Sequence, residues 1–142
     1  MLVYYFSIGL IVISTGLYHI VQKLTPGSVN PLLSLSVTYA AATVICLLLL
    51  PVFPLGASLF DSLRELNWSS VALGFTVVGI ELGFILAYRA GWDISLAAIV
   101  SSSGAALLLV PIGLLLFREH VSAINLAGVL VCVAGLVLIN VR

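Results

Sequence analysis

Five apolar runs, each about 20 residues long, set the strongest limit on how this chain folds. They cover residues 2–21, 32–53, 69–88, 94–117 and 123–141. A helix rises about 1.5 Å per residue, so each run is long enough to cross a hydrocarbon core of about 30 Å. Only 7% of the 142 residues are charged and the mean hydropathy is +1.34, too apolar for a soluble domain. The sequence therefore predicts an all-α integral membrane protein, a five-transmembrane-helix bundle that forms one domain over residues 1–142.

The segments between the runs collect residues that a lipid environment disfavours. Residues 23–31 contain two prolines, a glycine and an asparagine, which predict a turn. Pro51 and Pro54 are expected to end the second helix. Over residues 59–68, leucines fall on one helical face and charged residues on the other, which predicts a short interfacial helix with Trp68 at headgroup level. The remaining loops, 89–93 and 118–122, are short enough to make helices three to five antiparallel neighbours.

The cationic residues are nearly balanced across the predicted membrane. Five spans place Arg64 and Arg118 on the side of the N-terminus, and Lys23, Arg89 and Arg142 on the other side. The distribution of Lys and Arg sets the orientation of membrane proteins. Two interpretations are open: the chain inserts in both orientations, as an antiparallel dimer requires, or the small bias is enough to place the C-terminus in the cytoplasm.

One carboxylate lies near the middle of the third apolar run. A charged Glu81 at bilayer depth costs at least about 2.5 kcal/mol, so it calls for an explanation. Polar and aromatic residues at helical spacing form a stripe on each of the first three helices, and such stripes are expected to face each other or a wet cavity. The candidate substrate-binding or proton-binding residues on these stripes are Glu81, Tyr18, Tyr39, Tyr88, Phe84, Ser14 and His19.

These residue types suit proton exchange and the binding of organic cations. Burial disfavours the charged form of a carboxyl, which brings proton exchange by Glu81 into the physiological range. The faces of aromatic rings attract cations. The alternative for Glu81 is a structural hydrogen bond from a protonated carboxyl to another helix. For His19, close to the end of the first helix, the alternative is likewise a structural role.

Small residues repeat along the last helix and predict a dimer interface. Ala127 and Ala134 lie seven residues apart, as do Gly128 and Gly135. Small side chains let the backbones of lipid-embedded helices approach closely. The alternative is that this stripe packs within one copy of the chain.

The last third of the chain carries a recognisable set of features. They are the helix end at Ala87 and Tyr88, the small residues 101–106, Glu119 after the fourth helix, and Gly128, Gly135 and Asn140 in the last. With these features, the segment 87–140 resembles an EamA-like module of the drug/metabolite transporter superfamily, and its last two helices are similar to the small multidrug resistance family. Such modules commonly have glycine before the loop glutamate, where this chain has Arg118.

The resemblance implies an architecture and a mode of assembly. Full-length relatives fuse two five-helix halves of inverted topology, so this chain is expected to be one half of an inverted-repeat transporter. Its partner would be an inverted second copy or a related short transporter chain. The resemblance to the small multidrug resistance family, in which the last helix dimerises, favours the intermolecular interpretation of the small-residue stripe.

The resulting hypothesis is a multi-pass transporter in the cell's inner membrane. It would move small metabolites or organic cations by alternating access, with proton coupling through Glu81. One alternative is a subunit of a lipid-carrier flippase, and another is a nontransporting accessory subunit. The sequence shows no catalytic motif, metal-ligand spacing, phosphate loop or basic nucleic-acid patch. The expected partners are the bilayer, a small-molecule substrate and the second chain. No cofactor, metal or nucleic acid is expected, and the chain is not expected to be an enzyme.

Overall fold

The computed structural model describes residues 2–54, 56, 58–118 and 122–140, and these residues form helices and loops without strands. The helices are α1 (Leu2–Leu24), α2 (Pro31–Leu49), α3 (Leu59–Arg64), α4 (Trp68–Arg89), α5 (Ile94–Leu115) and α6 (Ala123–Asn140). Four of them, α1, α2, α4 and α5, are long and apolar enough to cross a membrane. The all-helical prediction is confirmed for this part of the chain, and the four helices indicate a multi-pass membrane protein.

The helix starts follow from side-chain caps. Asn30 accepts hydrogen bonds from the backbone N–H groups of Leu32 and Leu33 at 2.9 and 3.3 Å, and Pro31 begins α2 where a helix needs no N–H partner. Asn67 caps α4 through the N–H of Ser69 at 2.8 Å. These caps satisfy backbone donors that would otherwise be left without partners at the first turn.

Several predicted boundaries differ from the structure, and the two largest differences are of four residues each. The second helix ends at Leu49 instead of residue 53, because Pro51 lacks the N–H that would continue the ladder. The short helix α3 ends at Arg64, and Trp68 is the first residue of α4 instead of the last residue of the interfacial helix. The cap at Asn67 explains this second difference, because a capping residue marks the start of a new helix.

The chain divides into two compact units, Val21–Ala90 and the combination of Met1–Ile20 with Gly91–Arg142. In the first unit α2 packs with α4, and Leu35, Ile85 and Tyr88 are buried. In the second unit α5 packs with α6, as expected for helices joined by a short loop, and Ala97 is buried. The arrangement of all helices as one bundle stays a prediction.

Large apolar side chains point outward on the long helices of both units. Val37 on α2 is 65% exposed, Phe75 on α4 is 77% exposed and Leu108 on α5 is 69% exposed. A water-soluble domain does not carry so much exposed apolar surface, whereas hydrocarbon tolerates it at no cost. The surface therefore fits a lipid environment.

Two residues that follow α4 and α5 have a positive φ. Gly91, just after α4, has a φ of 95°, and Arg118, just after α5, has a φ of 51°. Both lie in the left-handed region, which favours glycine. Thus Arg118 adopts a backbone conformation that glycine would occupy without strain. Pro111 lies within α5, which continues through it.

Candidate functional site

Glu81 lies on α4 at a depth far from both helix ends. At 1.5 Å per residue it is roughly 20 Å along the axis from Trp68 and about 12 Å from Arg89. Its side chain is half-buried. No hydrogen bond or ion pair engages its carboxylate within the described residues. A carboxyl at such a depth in a membrane-spanning helix is costly to keep charged.

The end of α1 contacts the backbone of α4 at the level of Glu81. The Gln22 side-chain amide donates to the Glu81 backbone carbonyl at 3.1 Å. A carbonyl has two lone pairs, so it accepts this bond in addition to its bond within the helix. Both residues belong to the unit Val21–Ala90. Gln22 therefore fixes the position of the α4 backbone that carries Glu81.

The C-terminal end of α4 is tied to the loop between α1 and α2. The Arg89 guanidinium donates to the Val29 carbonyl at 2.6 Å and to the Pro26 carbonyl at 3.3 Å. The Lys23 ammonium lies 5.3 Å from the centre of the Tyr88 ring, a cation–π contact. We call Lys23, Tyr88 and Arg89 the loop clamp. Two cations at the carboxyl end of a helix also complement its dipole.

An open groove of about 580 Å³ lies between α2 and the N-terminal part of α4. Its lining is mostly apolar and consists of Tyr39 from α2 with Ser70, Val71, Leu73, Gly74, Phe75, Val77 and Val78 from α4. Glu81 follows Val77 by four residues and Val78 by three, and such spacing puts it on the same face of the helix. The α4 side of the groove therefore leads along the helix toward Glu81.

Tyr39 links the groove to Glu81. Its hydroxyl is buried without a hydrogen-bond partner among the described residues. Tyr39 lines the groove together with Val77 and Val78, which lie about one helical turn before Glu81 on α4. The packing of α2 with α4 thus brings together two of the predicted site residues.

Phe84 and Tyr88 lie further along α4, toward the loop clamp. Their rings stack on each other with centres 5.9 Å apart and planes inclined by 26°. The Tyr88 ring, which the sequence predicted as a surface for a substrate cation, has the Lys23 ammonium against it. The cation–π chemistry expected of this residue is therefore used within the chain.

The predicted residues of α1 belong to the other unit. Ser14 is exposed, Tyr18 is half-buried, and His19 is only 6% exposed. The Tyr18 and His19 rings meet edge to face with centres 5.2 Å apart. That these three residues share a cavity with Glu81 stays a prediction.

The serine and threonine hydroxyls of the α2 stripe donate hydrogen bonds to backbone carbonyls of their own helix. Ser36 donates to the Leu32 carbonyl and Thr43 donates to the Tyr39 carbonyl, both at 2.8 Å. Such back-bonding is a local solution for a hydroxyl in an apolar environment. The polar stripe of α2 therefore needs no wet cavity for these two hydroxyls, and Tyr39 remains the residue of interest on this helix.

The small residues of α6 lie on accessible backbone. Ala127, Gly128 and Ala134 are exposed and Gly135 is half-buried. A Cβ added to Gly128 or Gly135 would meet no atom within 4 Å. Their role in a dimer interface stays a prediction. Glu119, which carries part of the family resemblance, lies outside the described residues, as does Arg142.

Sequence reasoning did not select Lys23, Arg89 or Gln22 as parts of the site, whereas it did select Tyr88. In the sequence, Arg89 and Lys23 entered only the balance of cations across the membrane. In the structure both lie at the C-terminal end of α4. The Arg89 acceptors are backbone carbonyls, which leave no mark in a sequence. For Gln22 a signal exists, since it lies four residues after Tyr18 on the predicted stripe. Among the described residues, no group of three or more His, Cys, Asp or Glu is placed to hold a metal ion.

Comparisons of the chain with protein-family models, curated proteins and solved structures find no match.

Proposed function

We propose that this chain is a small transporter that works by alternating access, with Glu81 as the site that binds a proton or a cationic substrate. The observation that carries the proposal is the Glu81 carboxylate itself. It is half-buried on a long apolar helix, on the same face as the groove-lining residues Val77 and Val78, and has no ion pair or hydrogen bond in the described part of the chain. A purely structural carboxyl would be expected to have a partner, because an unpaired buried polar group costs free energy.

Two features of α4 support alternating access. The loop clamp ties its C-terminal end to the α1–α2 loop, whereas the groove leaves its N-terminal half open. A transporter needs a site that is closed on one side and open on the other, and sites near the bilayer midplane are common in inverted-repeat transporters. The resemblance of the segment 87–140 to EamA-like modules favours the same mechanism.

The proposal includes α6 as a fifth span and an inverted dimer in the inner membrane. With 18 residues α6 is about 27 Å long, close to the thickness of a hydrocarbon core. The accessible backbone at Gly128 and Gly135 suits close approach by a second helix. The near balance of Lys and Arg across the membrane favours insertion in both orientations.

Proton-coupled uptake into proteoliposomes tests the role of Glu81. The assay follows ethidium, an aromatic cation, under an imposed pH gradient. E81Q should abolish uptake because the amide can neither bind a proton nor carry charge. E65Q, the same change at an exposed site just after α3, is the matched control and should transport like the wild type. Wild-type uptake that persists in E81Q would contradict the proposed role.

A C-terminal topology reporter with readouts on both sides of the membrane tests the assembly. Signal on both sides supports an inverted homodimer. Signal on one side requires a different inverted partner, as in a heteromeric lipid-carrier flippase, or a different assembly. A chain that inserts in one orientation and transports nothing when reconstituted alone would favour an accessory subunit.

A further inference from the structure

Tyr39 has a buried polar group that the fold of its unit leaves unused. Its hydroxyl is shielded from solvent and has no hydrogen-bond partner among the described residues. Neighbouring hydroxyls on α2 avoid this cost by donating to their own helix, as Ser36 and Thr43 do. A tyrosine cannot do so, because its hydroxyl lies at the far end of the ring. A buried hydroxyl without a partner is costly, so a partner in another state of the protein is expected.

Three polar side chains around the C-terminal half of α4 have partners other than the Glu81 carboxylate. The Gln22 amide donates to the Glu81 backbone carbonyl and is therefore committed to the backbone. The Lys23 ammonium lies over the Tyr88 ring, and the Arg89 guanidinium holds the Pro26 and Val29 carbonyls. The remaining cation of this unit, Arg64, lies on α3, which precedes the opposite end of α4.

Glu81 is the matching group on the facing helix. Its carboxylate has no hydrogen bond or ion pair in the described part of the chain, and it lies about one helical turn beyond Val77 and Val78, which line the groove with Tyr39. The two side chains extend from helices that pack together, and Tyr39 also lines the groove that leads toward Glu81. A change in the side-chain rotamer of Glu81 or Tyr39 is the simplest movement that would join them.

We propose that Tyr39 is a positioning residue whose hydroxyl donates a hydrogen bond to the charged carboxylate of Glu81 and holds it at the end of the groove. This inference rests on the proposed role of Glu81 in transport. A hydrogen bond from a neutral donor to a charged acceptor is stronger than one between neutral groups. Protonation of Glu81 weakens the bond, because a neutral carboxyl is a poorer acceptor. The Tyr39 hydroxyl therefore reports the charge state of Glu81 to the groove.

Isotope-edited infrared spectroscopy of the full-length protein in lipid bilayers tests the pairing. With ¹³C-labelled glutamate, the band of the charged Glu81 carboxylate is assigned by its loss in E81Q. Y39F should shift this band to higher frequency, because the carboxylate loses a donor. Y5F is the matched control: it removes the same hydroxyl from a tyrosine that is 69% exposed, and should leave the band in place.

The reciprocal measurement keeps the test independent of how well Y39F folds. With ring-labelled tyrosine, E81Q should shift the C–O band of Tyr39, since the hydroxyl loses a charged acceptor, and E65Q should not. If neither Y39F nor E81Q shifts the partner's band, the pairing is wrong, even where E81Q abolishes ethidium uptake. If both bands shift but E81Q transports normally, the pairing stands and the proposed transport role of Glu81 fails.

Discussion

The two halves of α4 are held in different ways. Toward its C-terminus, Gln22 contacts the backbone at Glu81, Lys23 contacts Tyr88, and Arg89 holds the loop at Val29. Toward its N-terminus, seven residues between Ser70 and Val78 line an open groove with Tyr39 of α2. One continuous helix thus combines a polar, tightly connected end with an apolar, accessible one, and Glu81 lies between the two.

The physical reason is the type of group that each half offers. The C-terminal half ends with a cation next to backbone carbonyls, and charged donors form strong hydrogen bonds to such acceptors. The N-terminal half carries Val71, Gly74 and Val78, which have no polar side-chain atoms to bind a neighbour. Gly74 leaves space because it has no side chain. The closed end is therefore maintained by specific bonds, whereas the open end depends on shape.

The largest expected effect is a loss of stability when the loop clamp is removed. R89A should lower the free energy of unfolding by about 2 kcal/mol, because charge-assisted hydrogen bonds to two carbonyls are lost at a partly solvated site. Denaturation of the purified protein in mixed micelles measures the change. R64A, which truncates an exposed arginine on α3, should change it by less than about 0.5 kcal/mol. Equal effects of the two variants would show that the clamp contributes nothing specific.

Filling the groove should impair transport without loss of stability. Gly74 lines the groove, and a Cβ added there meets no atom within 4 Å, so G74L starts from open space. Its larger side chain should reduce ethidium uptake about tenfold, equivalent to about 1.4 kcal/mol, because it occupies the path toward Glu81. G83L makes the same change on α4 outside the groove lining, where a Cβ also meets open space. If G83L impairs uptake as much as G74L, the groove is not the route.

The cap at the open end of α4 should have a smaller effect. N67A removes the acceptor for the Ser69 N–H, which should cost about 1 kcal/mol in the free energy of unfolding. N67D keeps an oxygen that accepts the same bond and should retain most of the stability. Thermal unfolding followed by circular dichroism compares the two variants. A loss in N67D as large as that in N67A would argue against capping as the cause.

The smallest expected effect concerns the backbone just after the two helix ends. R118G should raise the free energy of unfolding by about 0.5 kcal/mol, because relief of the left-handed strain exceeds the entropy that glycine adds to the unfolded chain. G91A should lower it, since alanine is strained at the φ of 95°. The same unfolding assay measures both, and opposite signs are required. A destabilising R118G would show that the side chain of Arg118 contributes more than its backbone costs.

Much of the secondary structure could be predicted because its causes are local. The apolar runs and the breaks at Pro31 and Pro51 gave helix positions that differ from the structure by a few residues. Glu81 could be selected from the sequence for a similar reason, since a carboxylate in an apolar run is unusual without any knowledge of its neighbours. The stripe that contains Tyr39 was predicted as well, from helical spacing.

The contacts that define the candidate site could not be predicted in the same way. Arg89 and Val29 are 60 residues apart, and the acceptor is a backbone carbonyl that any residue type would supply. Gln22 likewise contacts the backbone of residue 81, whose side-chain identity is irrelevant to that bond. The lack of a partner for the Tyr39 hydroxyl is also a property of packing, because it depends on what α4 places opposite α2.

Local sequence accounts for the long apolar helices and for the one carboxylate among them, because hydropathy, helix-breaking residues and capping side chains act over a few residues. Three further features depend on tertiary structure: α2 packs with α4, Tyr39 lines a groove beside α4, and Arg89 bonds to the loop between α1 and α2. The reason is that helices apolar on every side have many similar ways to pack, so the choice among them depends on the fit of whole surfaces and a few long-range polar contacts.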